Sequence, residues 1–390
     1  MNKKNILFVC SSMKMGGAEK SLVNLLNMID YDIYSVSLLL LQNRGVLKQQ
    51  IPSTVNILDL PQKAKSLYDD DKRSFISILM KTIKYVSTGL EFFLWRDYDV
   101  VRAHRWVDFY CRFCEKLPYC FDTVIAFQSG ESTYFSFDKI IAKRYVTYFH
   151  TDIKNIKLAS KIDDKYLKLA DLIVTISPQC VNSIVSLFPN YKMKTVCLNN
   201  PVSYSLIQKL AGDALPIEYE NYGGYIKIIS VGRLVDIKGF DLVIDAAAIL
   251  KNKKIKFKWF IVGEGKERNK LEKQIFQNKV SDCVFLIGQR TNPYPYIKFA
   301  NLLVQSSRYE GKSVVLDEAK ILEKPIVVTN YNSVKDQIID EVSGYICEMN
   351  PDSIAKGVMK SIEKPIITQS INKTDDVSDY MNVISGEVNL

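Results

Sequence analysis

Long hydrophobic runs are missing from this 390-residue sequence. No apolar stretch reaches the roughly 18–20 residues that a membrane-spanning helix needs, and runs such as Ser37–Leu41 and Phe260–Val262 have the length of strands. The N-terminus has Lys3 and Lys4, but it lacks the longer apolar stretch and small-residue cleavage site of a signal peptide. The sequence therefore predicts a cytoplasmic protein.

Glycine, proline and histidine are also few. Seventeen Gly and twelve Pro exclude a collagen-like or low-complexity chain. With 47% hydrophobic and 24% charged residues, the chain has too much apolar material to be mainly disordered. The length predicts two or three domains of about 150 residues. Since there are two His, a mechanism that needs an imidazole must use His104 or His150.

Cysteine is spread thinly, with eight residues along the chain, and a reducing compartment disfavours structural disulfides. Cys111 and Cys114 have metal-like spacing, and Cys120 and His104 are near them in the sequence. A closed zinc site needs all four in a compatible geometry, so a buried pair on a helix is the favoured interpretation.

An excess of positive charge, 52 Lys and Arg against 43 Asp and Glu, indicates an anionic partner. The basic residues are scattered among acidic ones rather than gathered in one stripe. We therefore expect no nucleic-acid partner, which leaves a phosphorylated substrate and an acidic membrane surface.

The segment Lys81–Arg96 is the candidate for a membrane contact. Lys81, Lys84 and Arg96 flank several aromatic side chains there, a combination that can lie at a lipid interface. We expect peripheral attachment at the inner face of the cell membrane. The alternative is an ordinary amphipathic helix packed on its own domain.

Short apolar runs alternate with helical patterns, which predicts an α/β fold of βαβ units on parallel sheets. One series begins with a strand at Asn5–Cys10, and a more regular one begins with Ile226–Val231. The segment Pro201–Gly224 between them is rich in Pro, Gly and polar residues and is interpreted as a linker. We predict two Rossmann-like domains, 1–199 and 200–365, facing across a cleft, and a tail at 366–390 that packs back on the first domain.

Glycines follow predicted strands in both halves. Gly16 and Gly17 open a helix, where free amides attract phosphate, although the pair alone is equally typical of a tight turn. Gly263, Glu264 and Gly265 follow another strand, where the glycines would admit a ligand close to the backbone.

Two cations lie five positions apart at the turn that follows Ile226–Val231. Arg233 comes directly after Gly232, and Lys238 directly precedes Gly239. An Arg fork and a Lys point charge so placed can hold two phosphate groups. An ordinary solvated pair is the alternative.

The segment from Ser306 to Ala319 carries two glutamates eight positions apart. Glu310, in a loop, can accept hydrogen bonds from sugar hydroxyls, and Glu318, on a helix, can reach a ribose. The amides at the start of that helix favour phosphate. A paired-carboxylate hydrolase fits less well, because hydrolysis does not require these cations and amides. A solvated helix face is the remaining alternative.

Together, Gly16-Gly17, Gly232-Arg233 with Lys238-Gly239, Gly263-Glu264-Gly265 and Glu310-x7-Glu318 resemble the motifs of the family-four retaining glycosyltransferases of the GT-B fold, the glycosyl transferases group 1. The resemblance runs from about residue 4 to about residue 363 and is strongest over Ile226–Cys347. It points to the bacterial surface-polysaccharide type. It implies a nucleotide-sugar donor held mainly by the C-terminal domain and an acceptor held mainly by the N-terminal one.

The resemblance also implies residue roles. Arg233 and Lys238 would neutralise the donor diphosphate, Glu310 would contact the sugar, and Glu318 the ribose. The amides of Ser313 and Val314 would meet the phosphates, and Gly17 would approach them from the other domain.

His150, in Tyr148-Phe149-His150-Thr151-Asp152, matches the family's histidine near the transferred sugar; a neutral core residue is the alternative. His104 has no such context and is interpreted as structural or exposed. Lys312, after Glu310-Gly311, departs from the apolar residue or Pro common in the family and offers an extra phosphate or sugar contact. The tail at 366–390 is short for the helix that normally crosses back to the first domain.

These features predict a retaining glycosyltransferase that needs neither metal nor another cofactor. It would move a sugar from a nucleotide-diphosphate donor to a glycan or a lipid-linked acceptor. Asp69–Asp71 has the paired carboxylates of metal-dependent transferases, but it is interpreted as a solvated charge run. A sugar-nucleotide epimerase and a non-catalytic partner subunit stay open, although such a subunit would usually have lost the donor-site charges.

Overall fold

A computed structural model of the chain describes residues 3–68, 75–156, 160–368 and 375–387. The chain divides into two compact units. The first comprises Met1–Pro201 with Asp376–Leu390, and the second comprises Val202–Asp375. No helix within the described ranges is long and apolar enough to cross a membrane.

The first unit contains a seven-stranded sheet in the order β3-β2-β1-β4-β5-β6-β7, with parallel pairing throughout. Residues 6–10 of β1 are buried, as expected for an apolar strand with both faces covered. The strands are β1 (Lys4–Cys10), β2 (Tyr34–Leu40), β3 (Asn56–Leu58), β4 (Cys120–Ala126), β5 (Ile141–Phe149), β6 (Leu172–Thr175) and β7 (Thr195–Cys197).

Helices connect these strands. In the first of them, Leu22, Leu25 and Leu26 are fully buried, as their helical spacing predicts. The helices are α1 (Gly17–Met28), α2 (Gln62–Tyr68), α3 (Phe75–Trp95), α4 (Tyr98–Arg105), α5 (Cys111–Phe113), α6 (Glu131–Lys139), α7 (Ser160–Leu169) and α8 (Pro178–Leu187), with a π-helical turn at Trp106–Tyr110 between α4 and α5.

The second unit contains a six-stranded parallel sheet in the order β10-β9-β8-β11-β12-β13, with apolar clusters on both faces. Its strands are β8 (Ile226–Val231), β9 (Phe257–Val262), β10 (Val284–Gly288), β11 (Leu302–Gln305), β12 (Ile326–Thr329) and β13 (Tyr345–Cys347). Its helices are α9 (Tyr204–Ala211), α10 (Ile217–Glu220), α11 (Phe240–Asn252), α12 (Arg268–Gln277), α13 (Tyr294–Phe299), α14 (Val314–Ile321) and α15 (Pro351–Glu363).

The segment predicted as a linker is instead part of the second unit. Its helices α9 and α10 bury Ile207, Ala211 and Tyr219 in the apolar cluster on one face of the sheet. The Ser203 hydroxyl caps α9 by accepting a hydrogen bond from the Leu206 amide at 3.1 Å. The linker interpretation of Pro201–Gly224 is therefore wrong.

The end of the chain returns to the first unit as helix α16 (Ser378–Ser385). Arg144 on β5 donates to the Ile384 carbonyl at 3.2 Å, and the hydroxyls of Tyr148 and Tyr380 are 2.8 Å apart. Asp375, the last residue of the second unit, accepts a hydrogen bond from the Tyr204 amide at 2.6 Å. The chain therefore leaves the second unit directly before α16.

Candidate functional site

The carboxyl ends of β8 and β11 form the natural ligand position of the second sheet. These strands are neighbours, while β9 and β10, which lie between them in the sequence, are on the other side of β8. Open parallel sheets bind ligands at such a reversal of strand order, beyond the carboxyl ends. Lys238 follows β8 and Glu310 follows β11, so two predicted site residues lie at this edge.

Lys238 and Glu310 form an ion pair there, with the Lys238 ammonium donating to Oε1 of Glu310. Their side chains are 22% and 14% exposed. The same carboxylate oxygen accepts hydrogen bonds from the Ser307 hydroxyl at 2.7 Å and from the Gln305 amide at 3.1 Å. The structure thus brings together the predicted phosphate cation and the predicted sugar-binding carboxylate, and it pairs them with each other.

Arg233 lies in the same loop as Lys238, directly after the half-buried Gly232, and its side chain is exposed. Within the described parts of the chain, no ion pair involves its guanidinium. A positive charge without an internal carboxylate partner at this edge is available to an anionic ligand.

Gly239 joins the β8 and β11 loops. Its φ of +63° is in the left-handed region, and a Cβ placed there would lie 2.1 Å from the Ser306 carbonyl oxygen. The Ser306 hydroxyl donates to the Lys238 carbonyl at 2.8 Å. Only glycine allows this approach, so the position of Lys238 depends on Gly239.

Ser313, directly before α14, differs from its predicted role. Its amide donates to Oε1 of Gln337 at 2.8 Å, and its hydroxyl donates to Gln305 at 2.7 Å. The expectation that this amide meets a phosphate is therefore not met in the structure, because a side chain occupies it. Val314, which follows Ser313 and is the first residue of α14, has a buried side chain.

Glu318 on α14 is fully buried and accepts a hydrogen bond from the Tyr294 hydroxyl at 3.1 Å. Burial and the neighbouring Glu318 carboxylate hold the pKa of Tyr294 well above its ordinary value. The alternative of a solvated helix face is therefore wrong for Glu318.

The glycines after β9 pack against backbone rather than leave space. A Cβ on Gly263 would lie 1.8 Å from the Gly232 carbonyl oxygen, and one on Gly265 would lie 2.3 Å from that of Leu234. Glu264 pairs with Arg268 at 2.6 Å. The prediction that these glycines admit a ligand is therefore wrong for the space on their Cβ side, because the loop after β8 fills that space.

Gly311 and Lys312 complete the loop between Glu310 and α14, and both are half-buried. Burial raises the pKa of the nearby Asp317 carboxyl, and the charges of Lys312 and Lys320 partly oppose that rise. Lys312 therefore contributes positive charge beside the start of α14.

Four residues that sequence reasoning missed hold this site together. Gln305, Ser307 and Gln337 make the hydrogen bonds described above, and Arg308 binds Asp241 through two hydrogen bonds at 2.6 and 2.9 Å. Although burial opposes it, Arg308 holds the pKa of Asp241 below its ordinary value. Polar residues at the carboxyl end of an apolar strand were the one available signal for Gln305 and Ser307.

In the first unit, His150 directly follows β5 and is flanked by the rings of Phe127 and Tyr148. Burial lowers its pKa to about 4, partly offset by hydrogen bonds with the Phe127 backbone and with Asn200. Its Nδ1 lies 3.1 Å from Oδ1 of Asn200, which also accepts from Ser21. The ring is therefore neutral with Nδ1 protonated, and Nε2 is a buried acceptor with no hydrogen-bond partner among the described residues.

Gly16 and Gly17 lie at the start of α1, as predicted. A Cβ on Gly16 would meet Oε2 of Glu19 at 2.2 Å, and the other oxygen of Glu19 accepts from Gln128 at 3.1 Å. A carboxylate at a helix start stabilises the amides as a phosphate would. A phosphate at Gly17 would therefore compete with Glu19.

The four residues weighed as a closed zinc site, which the sequence analysis did not favour, do not form one. All the cysteines are free; Cys114 is buried, which raises its pKa to about 12, while Cys120 is exposed. In the described ranges, no three of Cys111, Cys114, Cys120 and His104 bring their ligand atoms within 4.8 Å of one another. Asp69–Asp71 lies outside the described residues.

Lys81–Arg96 forms the later part of α3, and its side chains are distributed in an unusual way. Tyr85 is 73% exposed and Phe93 77%, whereas Ser87 is fully buried and Glu91 is 3% exposed. The outer face is therefore apolar and the inner face carries polar groups.

Comparison with known proteins identifies relatives of this chain. Residues 213–377 match the family described as Glycosyl transferases group 1. An uncharacterized glycosyltransferase of Methanocaldococcus jannaschii is 29% identical over 175 residues, which cover 45% of this chain and 43% of that protein. The poly(ribitol-phosphate) alpha-N-acetylglucosaminyltransferase of Staphylococcus aureus is 30% identical over 139 residues, covering 35% of this chain and 28% of that protein.

The capsular polysaccharide biosynthesis glycosyltransferase CapM of Staphylococcus aureus is 23% identical over 239 residues, covering 57% of this chain and 62% of that protein. The chain thus spans less than two thirds of each of these three relatives. Among solved structures, HepE of Anabaena in complex with UDP and glucose has a TM-score of 0.64 at 17% identity, covering 98% of this chain and 95% of that chain. This likeness shows the fold, the two-domain α/β architecture called GT-B.

Proposed function

We propose, because residues 213–377 match the group 1 glycosyl transferases and the chain has the GT-B fold, that it is a retaining glycosyltransferase of surface-polysaccharide biosynthesis. Its donor is a nucleoside-diphosphate sugar. Its acceptor is a glycan or a lipid-linked saccharide. The similarity to the capsular polysaccharide and poly(ribitol-phosphate) glycosyltransferases of Staphylococcus aureus supports a role in the synthesis of a surface polymer.

The observation that carries the proposal is the charge arrangement beyond β8 and β11. Arg233 and Lys238 place two positive charges at the edge where an open sheet binds ligands. When the bond between the anomeric carbon and the phosphate oxygen breaks, negative charge develops on the diphosphate. Cations already in place stabilise that charge mostly in the transition state.

In the proposed reaction the acceptor oxygen forms its bond to the anomeric carbon on the face from which the diphosphate departs. The acceptor proton passes to a phosphate oxygen of the leaving group, so no protein nucleophile is required. Glu310 keeps Lys238 in position before the donor arrives, and a sugar hydroxyl then donates to its carboxylate. Glu318 binds the ribose, and the Val314 amide faces a phosphate.

His150 would contribute as a hydrogen-bond acceptor rather than as an acid. Its low pKa keeps the imidazole neutral at physiological pH. Because Nδ1 interacts with Asn200, Nε2 is the ring nitrogen that can accept a hydrogen bond. A hydroxyl of the transferred sugar supplies the complementary donor.

A panel of nucleotide sugars tests the function. We expect one donor class, with UDP-sugars tested first because HepE was solved with UDP, to raise the thermal midpoint and be turned over with a saccharide acceptor. Epimerised donor without transfer would instead identify a sugar-nucleotide epimerase. Binding without any turnover would support the partner-subunit alternative.

We also propose that the outer face of α3 rests on an anionic membrane. Glu91 is the one acidic residue between Phe75 and Arg96, and it is buried on the inner face. The outer face offers apolar side chains together with the exposed Arg96, which suits the interface of acidic lipids. Lipid-linked acceptors would be met at that surface.

A further inference from the structure

Three potential metal ligands converge where α3 packs against α4. They are Glu91 on α3, His104 on α4 and Asp108 in the following π-helical turn, and their ligand atoms all lie within 4.8 Å of one another. His104 and Asp108 are four positions apart on one helical run, with Nδ1 and Oδ2 3.6 Å apart. None of the three is used in the proposed transfer reaction.

The environment of Glu91 gives the second, independent observation. The side chain is 3% exposed, and its Oε2 has no hydrogen-bond partner in the part of the chain that the structure describes. A buried carboxylate oxygen without a hydrogen-bond donor is costly, and a cation at this atom would compensate it.

His104 is already oriented for such a role. Its ring stacks on Trp95, with centroids 4.1 Å apart and an interplanar angle of 14°. The stacking restricts the rotation of the imidazole, and Nδ1 points to the carboxylate of Asp108. A prearranged imidazole loses less entropy when it binds a metal.

We propose that Glu91, His104 and Asp108 bind a transition-metal dication such as Zn²⁺. One imidazole nitrogen and two carboxylate oxygens are a donor set that Zn²⁺ accepts, with water in the remaining position. Tetrahedral bonds of about 2.0–2.2 Å place the donor atoms roughly 3.3–3.6 Å apart. The His104–Asp108 distance is close to this, and the half-exposed Asp108 side chain can rotate to close the site.

The metal would join α3 to α4 and so hold the helix whose outer face is apolar. This role is structural and lies in the first unit. It is therefore independent of the donor-site proposal, and each can fail without the other.

Nuclear magnetic resonance of the imidazoles tests the site, because the full chain has two His. We expect Zn²⁺, added to metal-stripped protein, to shift the ring nitrogens of His104 with a stoichiometry of one and to leave His150 unchanged. Co²⁺ should give weak visible bands without thiolate charge transfer, which separates this site from the cysteines. An unshifted His104 or a thiolate spectrum would overturn the proposal.

Conservative variants complete the test. Glu91→Gln and Asp108→Asn keep the side-chain shape, and we expect each to weaken Zn²⁺ binding by about 10- to 100-fold or more. Asp99→Asn is the matched control, since Asp99 is on α4 and contacts Arg102 at 3.7 Å instead. Equal Zn²⁺ affinity in Glu91→Gln and in the control would also overturn the proposal.

Discussion

At the scale of single residues, the candidate site depends on charges that compensate each other. Lys238 and Glu310 come from loops 72 positions apart, yet the carboxylate takes three hydrogen bonds on one oxygen. Arg233, in contrast, is exposed in the β8 loop. The two cations should therefore respond differently to removal, although we assign both to the diphosphate.

Arg233→Ala and Lys238→Ala should each lower turnover by roughly 100-fold or more, the effect of removing one transition-state donor. Lys238→Ala should also reduce the free energy of unfolding by about 1–3 kcal/mol, because Glu310 loses its cation. Arg233→Ala should leave stability unchanged. Steady-state kinetics and urea unfolding measure both effects, with the exposed Lys335→Ala as control. Turnover within a few-fold of the unmodified chain would remove the diphosphate assignment.

Gly239→Ala should lower stability and activity together. Its Cβ would lie 2.1 Å from the Ser306 oxygen, so the loop carrying Lys238 must move, and we expect a loss of about 1–3 kcal/mol. Gly224→Ala is the matched control, because Gly224 also has positive φ but no atom within 4 Å of its Cβ position. Equal effects of the two substitutions in urea unfolding would show that the contact with Ser306 is unimportant.

His150 should make the protein less stable in mild acid. Its folded pKa of about 4 is below the ordinary imidazole pKa of 6.5, so the unfolded state binds more protons between these values. The contribution of the neutral His150 side chain to the free energy of unfolding is fully present above pH 6.5. It is lost as the pH falls towards 4, at up to about 1.4 kcal/mol per pH unit. His150→Gln should flatten this dependence in urea unfolding at pH 4–7. The same slope in His150→Gln would contradict the assignment.

At the scale of elements, α3 is the clearest departure from an ordinary surface helix. Its buried face carries Ser87 and Glu91, while Tyr85, Val86 and Phe93 are more than half exposed. Apolar surface of this kind marks an interaction site.

Phe93→Glu should weaken binding to anionic vesicles roughly 10- to 100-fold, since burial of one Phe side chain is worth about 1.5–3 kcal/mol. Co-sedimentation at low salt measures it. Phe276→Glu, at a position equally exposed on α12 (78% against 77%), is the matched control and should bind as the unmodified chain does. Equal sedimentation with anionic and neutral vesicles would end the membrane proposal.

At the scale of the whole molecule, transfer should proceed without Mg²⁺ or Mn²⁺ and keep the anomeric configuration of the donor. Arg233 and Lys238 together equal the charge of one such ion where the diphosphate is proposed to lie. The reaction is run in excess EDTA with a soluble acceptor, and the anomeric proton of the product is recorded by NMR.

Full loss of activity in EDTA, restored by Mg²⁺ or Mn²⁺, would show that the argument from the two cations is wrong. Restoration by Zn²⁺ alone would direct attention to Glu91, His104 and Asp108. An inverted anomeric signal would exclude the retaining mechanism and leave the phosphate-binding role intact.

The sequence by itself determined the elements with strong local patterns. β8 (Ile226–Val231) has the predicted bounds, and residues 213–377 match the group 1 family, whose motifs the clusters after the strand ends resemble. These features are encoded within a few neighbouring residues, because hydrophobic periodicity and helix starts are local properties.

The tertiary structure alone decided which groups meet. The local density of Pro, Gly and polar residues in 201–224 does not show that Ile207 and Tyr219 are buried. Likewise, the glycines after β9 are visible in the sequence, but the backbone that fills their Cβ space is not. Lys238 reaches Glu310 only because β8 and β11 are adjacent in the sheet, and that adjacency depends on packing across the whole unit.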